Sequence, residues 1–198
     1  MRRAWPFGAL SPLSYDLILA DPATRFETFS ARGEGKSPQA HYNTMSWDEL
    51  AALPVGELGR GDCILFMWAC WPTLRQSLAL LDAWGFRYVT GGAWHKRTRH
   101  GKSAFGTGYV LRSACEPYLV GTLGSPVSAN NLRNIIETED LTALDAERRE
   151  HSRKPDEQYG YCERLAPKAV RFVELFARQA WPGWDVWGDQ AGKFEVAA

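Results

Sequence analysis

Chemistry is most plausible where an apolar run ends. Tyr15 to Ala20, YDLILA, reads as a buried strand, and Asp21-Pro22-Ala23-Thr24 follows it directly. Open α/β sheets place their ligands at the C-terminal ends of strands. A carboxylate beside a proline-stiffened carbonyl offers acceptors for both hydrogens of an amine. A ring-conjugated amine is a poor nucleophile because its lone pair is delocalised, so acceptors that favour a more tetrahedral nitrogen would activate it. Taken alone, the Asp-Pro pair is better explained as a turn that ends the strand. Asp21, Pro22, Ala23 and Thr24 are therefore a candidate catalytic set that needs further support.

Other candidates are weaker. The run His95 to Lys102, HKRTRHGK, gathers Lys96, Arg97, Arg99 and Lys102 in one loop suited to the phosphates of a polynucleotide. A solvated hairpin tip accounts for it equally well. Tyr42 lies in a polar stretch and is a candidate for substrate contact. Gly33-Glu34-Gly35-Lys36-Ser37 falls short of a phosphate loop because Ser30 stands where the leading glycine is required, and Gly106-Thr107-Gly108 lacks the third glycine of a dinucleotide fingerprint. The four cysteines are scattered, with no zinc spacing, so neither a metal site nor a disulfide is expected.

The elements that would position these groups alternate between strand-like and helical patterns, as in an α/β domain with a largely parallel sheet. Ser46 and Glu49 form a capping-box pair that predicts a short helix start. Cys63 to Trp68 predicts a strand, Thr73 to Trp84 a helix with Leu74, Leu78 and Leu81 on one face, and Phe86 to Trp94 another strand. Residues 95–108 are basic and glycine-rich, with nothing apolar to hold them, and Tyr118 to Gly121 closes that excursion as a strand. Asn130 to Arg149 reads as a solvated helix or connection, Pro155 to Leu165 as a helix, and Val170 to Phe176 and Trp184 to Trp187 as strands.

The chain has 198 residues, which suits one domain, and a formal net charge of +0. Any polyanion must then be met by a local basic surface, not by the field of the whole molecule. The start, MRRAWPFGALSPLS, lacks the apolar stretch of a signal peptide and no segment has transmembrane length, so a cytoplasmic protein without a membrane partner is expected.

Several blocks occur in order along most of the chain: Asp21-Pro22, HYNTMS at 41–46, LFMW at 65–68, AWGF at 83–86, WHK at 94–96, HSRKPDE at 151–157, ELFAR at 174–178 and PGW at 182–184. This succession resembles the MT-A70 family of adenine N6-methyltransferases, especially its short bacterial and phage DNA-modifying members. The resemblance implies a Rossmann-like methyltransferase fold in which the catalytic strand precedes the cofactor strand. It implies S-adenosylmethionine as cofactor, held by Lys154, Glu174, Phe176, Arg178, Asp189 and Gln190. Lys154 would meet the methionine carboxylate, Glu174 or Arg178 the ribose hydroxyls, and Asp189 and Gln190 the adenosine part.

By the same resemblance, Asp21 and Pro22 would hold the adenine amine and the basic loop would guide nucleic acid, DNA before RNA. With no separate target-recognition domain evident, a homodimer or heterodimer is plausible. The chain departs from the family at DPPW, which here reads DPAT. The missing indole would stack on the extruded base, and such a stack contributes about 1–3 kcal/mol. A catalytically weak or silent binding subunit is therefore the alternative.

Overall fold

The computed structural model describes residues 4–22, 24, 44–97, 100–106, 108, 110–137 and 153–194. Ala23, Tyr42 and Arg99 lie outside them, as does most of the polar stretch after Thr24. Among the described residues seven strands form one sheet: β1 (Tyr15–Ala20), β2 (Gly59–Trp68), β3 (Arg87–His95), β4 (Cys115–Leu123), β5 (Ile135–Glu137), β6 (Phe172–Leu175) and β7 (Trp184–Trp187). The helices are α1 (Trp47–Ala51), α2 (Leu74–Ala83) and α3 (Glu157–Leu165).

Across the sheet the order is β5-β3-β4-β2-β1-β6-β7. β1 pairs in parallel with both β2 and β6, while β4 runs antiparallel between β2 and β3. β5 and β7 add parallel edges to β3 and β6. The expected mixed, mostly parallel α/β sheet is therefore present.

Alternating side chains of the central strands divide the core between the two faces, as the two-residue period of a strand requires. Ile18, Ala20, Leu65 and Met67 pack with Leu50 of α1 and with Leu80 and Leu81 of α2. Leu17, Leu19, Phe66 and Trp68 pack on the other face with Tyr159 and Cys162 of α3. Helices thus cover both faces. On α2, Leu80 and Leu81 are buried whereas Leu74 and Leu78 pack only partly against the core.

Several boundaries differ from the periodicity reading. β4 extends well beyond 118–121 because its partners β2 and β3 supply a continuous antiparallel ladder. β6 is shorter than 170–176: Val170 is exposed, and the amides of Val170 and Arg171 donate to the Asp16 carboxylate instead of to a strand. Within the stretch read as a solvated helix or connection, Ile135–Glu137 forms β5, since the edge of β3 offers backbone partners that outweigh local composition. The basic loop also has an apolar hold, for Ala104 is buried and its amide donates to the Lys96 carbonyl.

The parallel register aligns the C-terminal ends of β1, β2 and β6, with Ala20 opposite Met67 on one side and Leu175 on the other. β4, running the other way, begins at this same edge with Cys115 and Glu116. α1 arrives nearby through the expected capping box: Glu49 N–H donates to Ser46 Oγ at 3.2 Å, and Ser46 N–H donates to Glu49 Oε2 at 2.7 Å. Ser46→Ala should lower the stability of the chain by about 1 kcal/mol, measured by urea denaturation.

Candidate active site

Asp21 continues β1 past the sheet edge, and its amide donates to the Leu175 carbonyl at 3.4 Å, tying it to the end of β6. Its carboxylate meets Lys154, which enters from the segment preceding α3: Lys154 Nζ lies 3.0 Å from Asp21 Oδ2. The same ammonium lies 2.7 Å from Glu116 Oε1, and Lys96 Nζ lies 2.8 Å from Glu116 Oε2. Two carboxylates and two lysines therefore alternate along one line at the mouth of the sheet. The Lys154 side chain is only 7% exposed, which removes the ordinary reading of it as a solvated lysine.

Burial drives the titration of these groups. It would raise the Glu116 carboxyl, but Lys154 and Lys96 outweigh it and hold Glu116 down at about 2. For Lys154, burial favours the neutral amine, and the neighbouring Asp21 and Glu116 charges reverse this to keep it protonated. Asp21 is left above its ordinary range, because burial raises it and Lys154 offsets that only in part. The two carboxylates thus share one cation unequally, with Glu116 holding the larger part.

Two recesses meet at Asp21. One, of about 290 Å³, is lined by Asp21, Pro22, Thr24, Trp47, Trp68 and Glu116 among others. The Pro22 carbonyl at its rim accepts the Thr24 amide at 2.8 Å, which leaves one of its two lone pairs. The other, of about 300 Å³, is lined by Asp21, Lys154, Tyr159, Glu174, Phe176 and Arg178 together with Arg153, Gln158, Gln179 and Phe194.

Glu174 is buried in the second recess, where the Tyr159 hydroxyl donates to its Oε2 at 2.6 Å. Burial pushes its carboxyl up to about 7 against the pull of that hydrogen bond. Gln179 donates through Nε2 to Asp156 Oδ1 at 3.0 Å, an acceptor that fixes the orientation of the amide. Gln179 Oε1 is then a buried acceptor without a partner among the described residues, as is the donor Arg153 Nε. Unsatisfied buried groups of both kinds point to a polar occupant.

Phe176 adopts φ 63°, a left-handed conformation that is costly for an aromatic residue. It turns the chain at the end of β6, and its ring stacks on Trp84 at 6.5 Å. The close approach of Gly188 allows this turn, because a Cβ there would lie 2.7 Å from the Ala177 nitrogen.

The expected residues are thus distributed unevenly. Asp21, Pro22 and Thr24 line the first recess, and Lys154, Glu174, Phe176 and Arg178 line the second. Gln190 accepts from Arg178 Nε at 3.1 Å, one layer behind the wall, while Asp189 is exposed in the turn after β7. In the basic loop, Lys96 turns inward to Glu116 and over the Trp94 ring, Arg97 pairs with Ser103 as an isolated bridge, and Lys102 is exposed. Tyr42, Ala23 and Arg99 lie outside the described residues.

Sequence reasoning passed over Glu116, Tyr159, Gln179 and Trp47. Glu116 did carry a signal, since a lone carboxylate inside the apolar run CEPYLVG must find a cation or stay neutral. Trp47 stands just beyond the last matched residue of the HYNTMS block.

This arrangement, two recesses sharing an aspartate at the edge of a mixed α/β sheet, coincides with family membership. The profile of the MT-A70 family matches residues 15–190, and the chain belongs to that family. It is 30% identical over 201 residues to the Type II methyltransferase M.MunI of Mycoplasma sp, an alignment covering 92% of this chain and 80% of that protein. It is also 36% identical over 157 residues to the N(6)-adenosine-methyltransferase MT-A70-like protein of Arabidopsis thaliana and 33% identical to the human N(6)-adenosine-methyltransferase catalytic subunit METTL3. Those two alignments cover 75% of this chain but only 21% and 25% of the longer proteins.

Lys154→Met should destabilise the fold by about 3 kcal/mol at pH 8, since it leaves two partly buried carboxylates without their common cation. In that variant Asp21, raised by burial and deprived of the Lys154 charge that offsets it, titrates higher in the folded state than in the unfolded one, so stability falls as pH rises and the loss is smaller at pH 5. Urea titrations at the two pH values check this, and equal losses would contradict it.

Proposed function

We propose that the chain is a single-domain, S-adenosylmethionine-dependent adenine N6-methyltransferase acting on nucleic acid, with DNA favoured over RNA. The observation that carries this is the position of Asp21 as the common wall of both recesses, where an amine held on one side faces a cofactor held on the other. The names of the relatives support the chemistry. DNA is favoured because the short family members that the chain resembles are bacterial or phage DNA enzymes.

The second recess fits the cofactor group by group. Glu174 supplies an acceptor for the ribose hydroxyls, with Arg178 beside it. Lys154 spends two of its three N–H donors on Asp21 and Glu116, which leaves one for the methionine carboxylate, and Arg153 adds a second cation. Gln179 Oε1 offers a buried acceptor for the methionine ammonium. Phe176 and Phe194 furnish apolar surface for the adenosine part, with Gln190 behind Arg178. When bound there, S-adenosylmethionine supplies the methyl group.

The chain's own residues prepare the amine. The Asp21 carboxylate accepts one of its hydrogens and the remaining lone pair of the Pro22 carbonyl the other, which favours a tetrahedral nitrogen aimed at the second recess. Lys154 keeps the Asp21 carboxylate in place. Lys102 and Arg97, with Arg99 of the same loop, meet the phosphates flanking the base. A second reading, a non-catalytic subunit of a dimer, is favoured only by Thr24 standing where the family has tryptophan.

Transfer of labelled methyl from S-adenosylmethionine to single- and double-stranded DNA and RNA tests the proposal. We expect labelling of adenine in DNA that falls a hundredfold or more in Asp21→Ala. No transfer to any polymer by folded, cofactor-competent protein would select the silent subunit.

Cofactor affinity should increase as pH rises through about 7, because the buried Glu174 must ionise to accept both ribose hydroxyls. Titration calorimetry at pH 6 and pH 8 checks this. Glu174→Gln should bind more weakly and show no such rise.

A further inference from the structure

We propose that Trp47 is the aromatic wall on which the target base stacks, taking the part that Thr24 does not fill. This rests on the adenine reading of the first recess. A base held edge-on by Asp21 and Pro22 needs a flat apolar partner across its π-face to exclude water and fix its plane. Thr24 cannot supply one.

Among the described residues, the aromatic rings lining this recess are those of Trp47 and Trp68. Trp68 is committed elsewhere. It is 2% exposed, its Nε1 donates to Gln158 Oε1 at 2.8 Å, and its ring meets Phe66, Trp94 and Tyr118 edge-on, with Lys154 Nζ 5.4 Å from its centroid. A ring so enclosed has no face to offer a ligand.

Trp47 differs in both burial and position. It is only partly buried, packing against the core while still bordering the recess. Thr24 forms a parallel bridge with Met45, which sets the two segments side by side. The capping box at Ser46 then fixes the first helical residue, Trp47, directly beyond that bridge. Trp47 thus borders the recess at the same rim as residue 24, carried by the neighbouring segment. The recess needs a ring at this rim, and the fold supplies it from α1 in place of the tetrapeptide.

The test compares Trp47→Leu, which keeps apolar bulk, with Trp47→Phe, which keeps a ring. For methyl transfer to an adenine-containing oligonucleotide, Trp47→Leu should lose about five- to 150-fold in kcat/KM. Trp47→Phe should retain most of it, and S-adenosylmethionine affinity should stay within about twofold in both, since the cofactor lies in the other recess. Adding Thr24→Trp to Trp47→Leu should recover part of the loss.

An independent readout uses a short single-stranded oligonucleotide carrying 2-aminopurine, whose emission falls on stacking. Quenching should persist in Trp47→Phe and vanish in Trp47→Leu. Equal behaviour of the two variants, a parallel loss of cofactor affinity, or no quenching by the unsubstituted chain would each overturn the proposal. Trp47-dependent quenching without methyl transfer to any polymer would instead uphold Trp47 and overturn the enzymatic reading.

Discussion

Withdrawing three charged groups partly from water carries a desolvation cost, and the geometry around Lys154 is what offsets it. Its ammonium stands between Asp21 at the end of β1 and Glu116 at the start of β4, against the ring of Trp68. Without Lys154, Asp21 would face Glu116 with no cation between them. Lys96 completes the balance from the solvent side. Because the strands carrying the carboxylates are separated by β2, the ammonium ties together elements on both sides of it. The position of Asp21, and with it the boundary between the two recesses, depends on this contact.

The sheet brings the partners together by register. β1 lies where the chain passes from one half of the sheet to the other, with β2 on one flank and β6 on the other. Such a switch point opens a crevice at the strand ends, since the neighbouring connections depart in opposite directions. Here the crevice is completed by the left-handed turn at Phe176, made feasible by the missing side chain at Gly188. Strain at the end of β6 is set against packing of the Phe176 ring between Trp84 and Trp187. Strain, orphaned polar atoms and a carboxyl raised to about 7 concentrate in the same recess. That concentration supports the proposed cofactor site over a core defect.

The departure at Thr24 changes meaning in this setting. Read along the chain, it removes an aromatic ring from the tetrapeptide and suggests decay. In three dimensions the same rim is bordered by Trp47, brought alongside by the bridge between Thr24 and Met45. Loss at one position and supply from an adjacent one leave the recess with an aromatic wall. The family match runs across residues 15–190 with Thr24 in this position.

Local order was legible because it is set by neighbours in the chain. The apolar runs of β1 and β2, the Ser46–Glu49 capping box and the Asp-Pro step at a strand end all follow from periodicity and turn chemistry. The blocks shared with the family marked Lys154, Glu174, Phe176 and Arg178, which line one recess. Composition misread β5, whose few residues become a strand only because β3 offers an open edge. By itself, then, the sequence determined the α/β class, most of the elements in their order, and the residues at the ends of β1 and β6. Only tertiary structure decided that Glu116 would share Lys154 with Asp21 and that Trp47 would border the recess of Thr24. Those contacts depend on strand register and on chain crossings between distant segments, which no local pattern encodes.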